Sequence, residues 1–246
     1  MQIMRTFALI VEELANSREI DAIAKAVYIT ASMCPTPSIK MLSAKLGLDA
    51  QAVSRRCKTL EGLGWMKLSK DGRCLRPHPS VPQEVEARLA AIAKNIIQMS
   101  QYKSEATTRA FVDWIVAPNV TLVFGARPAF LYNKATKQQL EYDIYAEALR
   151  WALEHHGEQH FEPTPLYPDE KEFIERVKRD RLKLELSKQN NIRLSVVTKK
   201  DLTLERMLAA IPEDIPKRVL DPEGPFVRML EKLGQELLGK HDWDRE

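Results

Sequence analysis

Residues 38–79, SIKMLSAKLGLDAQAVSRRCKTLEGLGWMKLSKDGRCLRPHP, change their hydrophobic period within one short stretch, and those changes set the architecture of the front of the chain. Ile39, Leu42 and Leu46 recur at helical spacing, and Gly47 supplies the left-handed residue that ends a helix. Asp49 then stands where an N-cap belongs. Ala52, Val53, Cys57 and Leu60 form the apolar stripe of a second helix, closed by Gly62 and Gly64. The opposite face shows Gln51, Ser54, Arg55 and Lys58, with Arg56 on its flank. Two strand-like runs follow, Trp65–Ser69 and Arg73–Arg76, joined by Lys70-Asp71-Gly72. Asp-Gly between two short runs is a strong hairpin signal.

Helix, tight turn, helix and basic hairpin together resemble the winged helix-turn-helix of bacterial and phage DNA-binding proteins, over roughly residues 20–80. The most specific part is LSAKLGLDAQAVSRRCKTLEGLGWM. The resemblance implies a domain over residues 1–81 whose second helix lies in the major groove of double-stranded DNA. Gln51, Ser54, Arg55, Arg56 and Lys58 would then meet base edges and phosphates, and Arg73 on the hairpin would reach phosphate or minor groove. The same residues also fit an ordinary solvated helix face, and winged helices serve in protein interaction as well.

The chain has 246 residues, 44% apolar and 29% charged, enough for one large domain or two small ones. The net charge of +3 is modest, but its distribution is uneven: residues 1–100 hold 14 Lys/Arg against 9 Asp/Glu, while residues 201–246 hold 7 against 11. A basic front half agrees with a duplex partner, and an acidic tail does not track phosphates. Cys34, Cys57 and Cys74 form no C-x-x-C pair, which argues against a disulfide framework and a zinc ribbon. No stretch approaches the roughly 18 uncharged apolar residues of a membrane span. In MQIMRTFALIVEELANS, Glu12 and Glu13 fall where a signal peptide would present its small-residue cleavage site, so an amphipathic helix is expected instead. A cytoplasmic protein without a membrane partner is the expectation.

Pro77, Pro79 and Pro82 break the chain after the hairpin. A helix over 82–101, with Val85, Leu89, Ile92 and Ile96 on one stripe, reads as a linker or as the seam of a homodimer. Residues 201–246 read as a helical extension whose last run places Phe226, Leu230, Leu233 and Leu237 on one stripe, the pattern of core or subunit contact.

The chemistry lies in the back half. His155, His156 and His160 cluster beside Glu154 and Glu158 in ALEHHGEQHFEP, a grouping suited to metal or acid–base work. The wider order runs KSEATTRAF, LEYDIYAEALRWALEHHGEQHFEP, then KEFIERVKRDRLKLELSKQNNIRLSVV. Over residues 102–200 it resembles the endonuclease domain of very-short-patch mismatch-repair enzymes and of the homing endonucleases with a Glu-Asp-x-His-Asp signature, within the PD-(D/E)xK nuclease group. Glu105 matches that family's first acid, Asp143 its strand aspartate and Glu154 its central-strand glutamate. Gly157, Gln159 and His160 match its G-x-Q-H ending, Asp180 and Lys183 its R-D-x-x-K helix, and Asn191, Ile192 and Leu194 its closing turn and strand.

The resemblance implies an α+β chain of two domains: the winged helix, then a restriction-endonuclease-like α/β core with a mixed sheet, followed by the helical tail. It implies a Mg²⁺- or Mn²⁺-dependent hydrolase of phosphodiester bonds, with Asp143 and Glu154 as metal ligands and Glu105 in support. His160 would act as general base or acid, oriented by Asp180, with Gln159 beside it. The chain departs from the family pattern at two places. His156 stands where the family commonly has an acid, which removes a negative charge and shifts preference toward Mn²⁺. AEALRWALEHH also has the propensity of a helix, whereas the family has a turn and a strand there. A DNA-binding regulator on a degenerate nuclease fold is therefore the alternative. A purely structural interaction module is the third reading.

Overall fold

A computed structural model describes residues 6–72, 74–157 and 170–239. It is a mixed α+β chain that divides into two compact units, each discontinuous in sequence. The first gathers the described residues up to Asn95 with Asp113–Val120 and Pro216–Arg228; the second takes Ile96–Val112, Thr121–Ile215 and the described residues from Met229. The helical tail is thus shared between the units.

In the first unit, α1 (Thr6–Asn16) buries Ile10 and Leu14, the amphipathic helix read from the sequence. Helix α2 (Ala22–Ser32) is capped by Asp21, whose Oδ1 accepts from Ala24 N at 2.6 Å. Ser38 caps α3 (Ile39–Leu46), and Gly47 closes it at φ 65°, the left-handed region that a Cβ disfavours. Asp49 caps α4 (Ala50–Gly62) through a 2.8 Å bond to Ala52 N, and Ala52, Val53, Cys57 and Leu60 are buried as their spacing required. Tyr28 and Trp65 meet edge to face at 5.4 Å.

The hairpin pairs β1 (Met66–Asp71) with β2 (Cys74–Pro79), antiparallel from Met66↔Pro79 to Asp71↔Cys74. The strands are longer than read from sequence, and Pro77 and Pro79 lie inside β2 rather than breaking it. The sheet has only two strands, so a residue without an N–H is tolerated on an edge. Helix α5 (Gln83–Met99) is rotated from the expected stripe. It buries Val85, Glu86, Leu89, Ala90, Ala93 and Ile97 and leaves Ile92 41% exposed.

In the second unit, the order is α6 (Lys103–Ile115, whose last turn belongs to the first unit), β3 (Val123–Ala126), a small hairpin of β4 (Tyr132–Asn133) and β5 (Gln138–Gln139), then β6 (Tyr142–Ala146), β7 (Trp151–His155), α7 (Glu170–Gln189) and β8 (Arg193–Val197). Strands β3-β6-β7-β8 form one mixed sheet: the first three are antiparallel neighbours, and β7–β8 is parallel, with α7 as the connection. The helix propensity of AEALRWALEHH is overridden. A single 3-10 turn at Glu147–Leu149 ends at Arg150 in the left-handed region, and Trp151–His155 then runs as a central strand bonded on both sides. Trp151, Ala152, Leu153 and Glu154 are all buried, as a strand covered on both faces requires. Ala126, Leu131, Tyr142, Tyr145 and Ile192 form a core against Leu182 and Leu186 of α7. Helix α8 (Leu204–Ala210) follows β8, and α9 (Pro225–Leu238) buries Phe226, Leu230 and Leu233. Among the described residues, no helix is long and apolar enough to cross a membrane.

Candidate active site

The β6–β7 ladder ends at Ile144↔Leu153, and beyond it a side chain takes over: His155 N donates to Asp143 Oδ2 at 2.7 Å. Asp143 is thereby fixed at the start of β6. Glu154, on β7, is 4% exposed, and Lys183 Nζ from α7 donates to its Oε2 at 2.7 Å. Its other oxygen, Oε1, is buried with no hydrogen-bond partner among the described residues. Helix α6 contributes Glu105 and Arg109 as an i,i+4 ion pair, and the Arg109 guanidinium also lies 3.9 Å from Asp143 Oδ1. Thr108, one residue before Arg109, pairs its Oγ1 with His155 Nδ1 at 3.0 Å.

Three acids from three elements are thus enclosed with two cations. Burial pushes the Glu154 carboxyl up to about 8, against the pull of Lys183, and Asp143 and Asp180 push it the same way. Burial also raises Glu105, with Asp143 adding to it and Arg109 opposing. Asp143 is raised by burial although the His155 N–H, Lys183 and Arg109 all favour its charge. The mutual effects place the three carboxyls in one field, the environment in which proton affinities are tuned for chemistry.

Of the residues read from sequence, Glu105, Asp143 and Glu154 come together, and Asp180 on α7 is half-buried and within electrostatic reach of Glu154. Gln159, His160 and Arg73 lie outside the described residues. Lys183 and Arg109 join the cluster without having been read as site residues, although both carry a signal: Lys183 ends the R-D-x-x-K run, and Arg109 stands four residues after Glu105. His156 is placed by its backbone, donating to Val197 O at 2.8 Å.

Among the described residues, no group of three or more His, Cys, Asp or Glu side chains is arranged to hold an ion. Mg²⁺ does not need one, since it usually takes one or two carboxylates and completes its shell with water and substrate phosphate. Asp143 and Glu154 fit that requirement in kind, and Glu154 Oε1 is an acceptor still open. The residues fit an ion completed by a phosphate rather than a cage built from protein alone.

In the first unit, Gln51, Arg55 and Lys58 are exposed on α4 and Ser54 is half-buried. Arg56 is different: its Nε lies 3.5 Å from Asp21 Oδ2, so it ties α4 to the cap of α2. Comparison with protein-family models, with curated proteins and with solved structures found no match.

Proposed function

We propose that the chain is a metal-dependent DNA endonuclease, with the helix-turn-helix and hairpin of the first unit gripping the duplex and the second unit cutting it. The observation that carries this reading is the enclosed cluster of Glu105, Asp143, Glu154 and Lys183 at the end of a mixed sheet. The order of the elements that carry the matched residues also supports it: helix α6 with Glu105, strands β6 and β7 with Asp143 and Glu154, helix α7 with Asp180 and Lys183, then β8.

The bound ion would supply Lewis acidity and a more acidic water. Asp143 and Glu154 would hold it, with Asp143 pre-oriented by the His155 amide. Lys183 opposes the effect of burial on Glu154 through its bond to Oε2 and would donate to a phosphoryl oxygen of the substrate. Arg109 restrains Glu105 at the rim. With Glu154 raised to about 8, proton and ion compete for the same carboxyl, so cleavage rises with pH toward that value.

One observation favours the second reading, a non-catalytic DNA-binding regulator: His156 stands where the resembled family commonly has an acid. Plasmid nicking in Mg²⁺ and then Mn²⁺, with wild type beside Asp143→Ala and duplex gel shifts in parallel, separates the two. Nicking that the substitution abolishes while binding survives supports the endonuclease. Binding without nicking in either metal supports the regulator. Absence of both removes DNA from the account.

A further inference from the structure

The first unit holds a partly open pocket of about 410 Å³, and every residue of its wall belongs to that unit. Its volume is that of a site for a small organic molecule. Phe7, Tyr28 and Trp114 contribute rings, and both roots of the hairpin contribute to the wall, Gly64 and Lys67 from one and His78 to Pro82 from the other. Tyr28 Oη donates to Ser80 O at 3.0 Å, and burial pushes that phenol up to about 12, so it stays neutral.

Arg218 is the unusual member of the wall. Its guanidinium lies 5.5 Å from the centre of the Trp114 ring and 5.8 Å from that of Phe7, both cation–π distances. The hydrogen bonds of the guanidinium within the described residues are long and go only to carbonyls, Val116 O at 3.3 Å and Asp113 O at 3.4 Å. The neighbouring acid is turned elsewhere: Asp113 Oδ2 accepts from Thr6 N at 2.7 Å and from Thr6 Oγ1. The two acids of the wall are also engaged, Glu86 Oε1 by Phe226 N at 3.0 Å and Asp221 Oδ1 by Glu223 N at 3.1 Å. No carboxylate lies within salt-bridge distance of Arg218 among the described residues. An enclosed planar cation between two rings, with donors left over, is complementary to a flat anion.

We propose that this cavity is a binding site for a small organic monocarboxylate with a flat apolar body, its carboxylate on Arg218 and its body among Phe7, Tyr28 and Trp114. The site is separate from the carboxylate cluster of the second unit and stands whether or not that cluster cuts DNA. Because the wall includes both roots of the hairpin, an occupant touches the segment that carries the wing.

The test is calorimetric titration of the full chain with benzoate, 2-naphthoate and indole-3-carboxylate, each beside its neutral primary amide, with Trp fluorescence followed in parallel. Saturable binding of at least one acid at one site per chain is expected, with the amide roughly tenfold weaker, the scale of one charge-assisted pair. Arg218→Met should weaken the acid by a similar factor and leave the amide unchanged. Val219→Trp fills the rim from a residue that is already exposed, and so should block both ligands even where Arg218→Met fails to fold. No saturable binding of any acid overturns the proposal. So does equal binding of acid and amide, or full binding in Val219→Trp.

Discussion

Lys183 on α7 donates to Glu154 on β7 at 2.7 Å, and this pair ties the helix that connects the parallel strands β7 and β8 to an inner strand of the main sheet. Lys183 is also followed, one turn later, by Ser187, whose hydroxyl pairs with Tyr142 of β6. One face of α7 therefore fixes both strands that carry the candidate ligands. Packing and chemistry meet at the same residues, so substitutions there should move stability and activity in different directions.

Glu154→Gln is the clearest case. The folded carboxyl is raised from its ordinary value of 4.5 to about 8, so its contribution to stability is complete below the lower value and is lost as pH rises through the upper one. Glutamine resembles the protonated acid and has nothing to lose. The variant should show a flatter stability–pH curve between pH 5 and 8, and above pH 8.5 it should exceed wild type by roughly 2–3 kcal/mol, less than the full shift converts to. Cleavage should be abolished. Urea denaturation at several pH values checks this, and parallel curves for the two proteins would show that Glu154 is not held against its charge.

Lys183→Met removes the cation that holds Glu154 down. The Glu154 carboxyl should climb further, and metal-dependent nicking should fall by roughly a hundredfold or more, with its rise displaced to higher pH. Duplex binding by the first unit should stay within about twofold, since Lys183 lies in the other unit. A pH–rate profile measured beside a gel shift decides it. An undisplaced profile would mean that Lys183 has no hold on the titrating group.

How much of this was legible in the sequence depended on how local the causes were. The helix-turn-helix could be read because Gly47 and Asp49 act on residues within one turn of themselves. Strand β7 could not, because Trp151–His155 is made a strand by its ladder with β8, whose residues lie beyond an entire helix. The buried stripe of α5 departs from its hydrophobic spacing for a related reason: Phe226 N, far along the chain, donates to the buried Glu86, while the more apolar Ile92 faces out. Arg218 had no local signal at all, since its rings, Phe7 and Trp114, lie in the other two segments of the first unit.

Arg55 and Arg56 are adjacent on α4 and should behave differently on DNA. Arg55 is exposed, whereas Arg56 is held toward Asp21. Arg55→Ala should reduce the slope of log affinity against log salt by about one, the value for one phosphate contact. Arg56→Ala should leave that slope unchanged and lower stability by about 0.5 kcal/mol, the scale of a partly exposed ion pair. Salt titrations of gel-shift affinity with both variants test the assignment. If Arg56→Ala changed the slope as Arg55→Ala does, Arg56 would belong to the interface.

Two glycines offer a contrast in stability. A Cβ on Gly234 of α9 would come within 2.5 Å of the Leu202 carbonyl oxygen and 2.8 Å of the Leu202 Cβ, and a backbone atom cannot swing aside as a side-chain tip can. Gly234→Ala should therefore destabilise the protein by about 1–3 kcal/mol in spite of the better helix propensity of alanine. At Gly62, the last residue of α4, a Cβ would meet nothing within 4 Å and the backbone φ is not positive. Gly62→Ala should gain about 0.5–1 kcal/mol, through propensity and a less free unfolded chain. Denaturant midpoints of the two variants against wild type should move in opposite directions. A stable Gly234→Ala would mean that α9 does not approach Leu202 this closely.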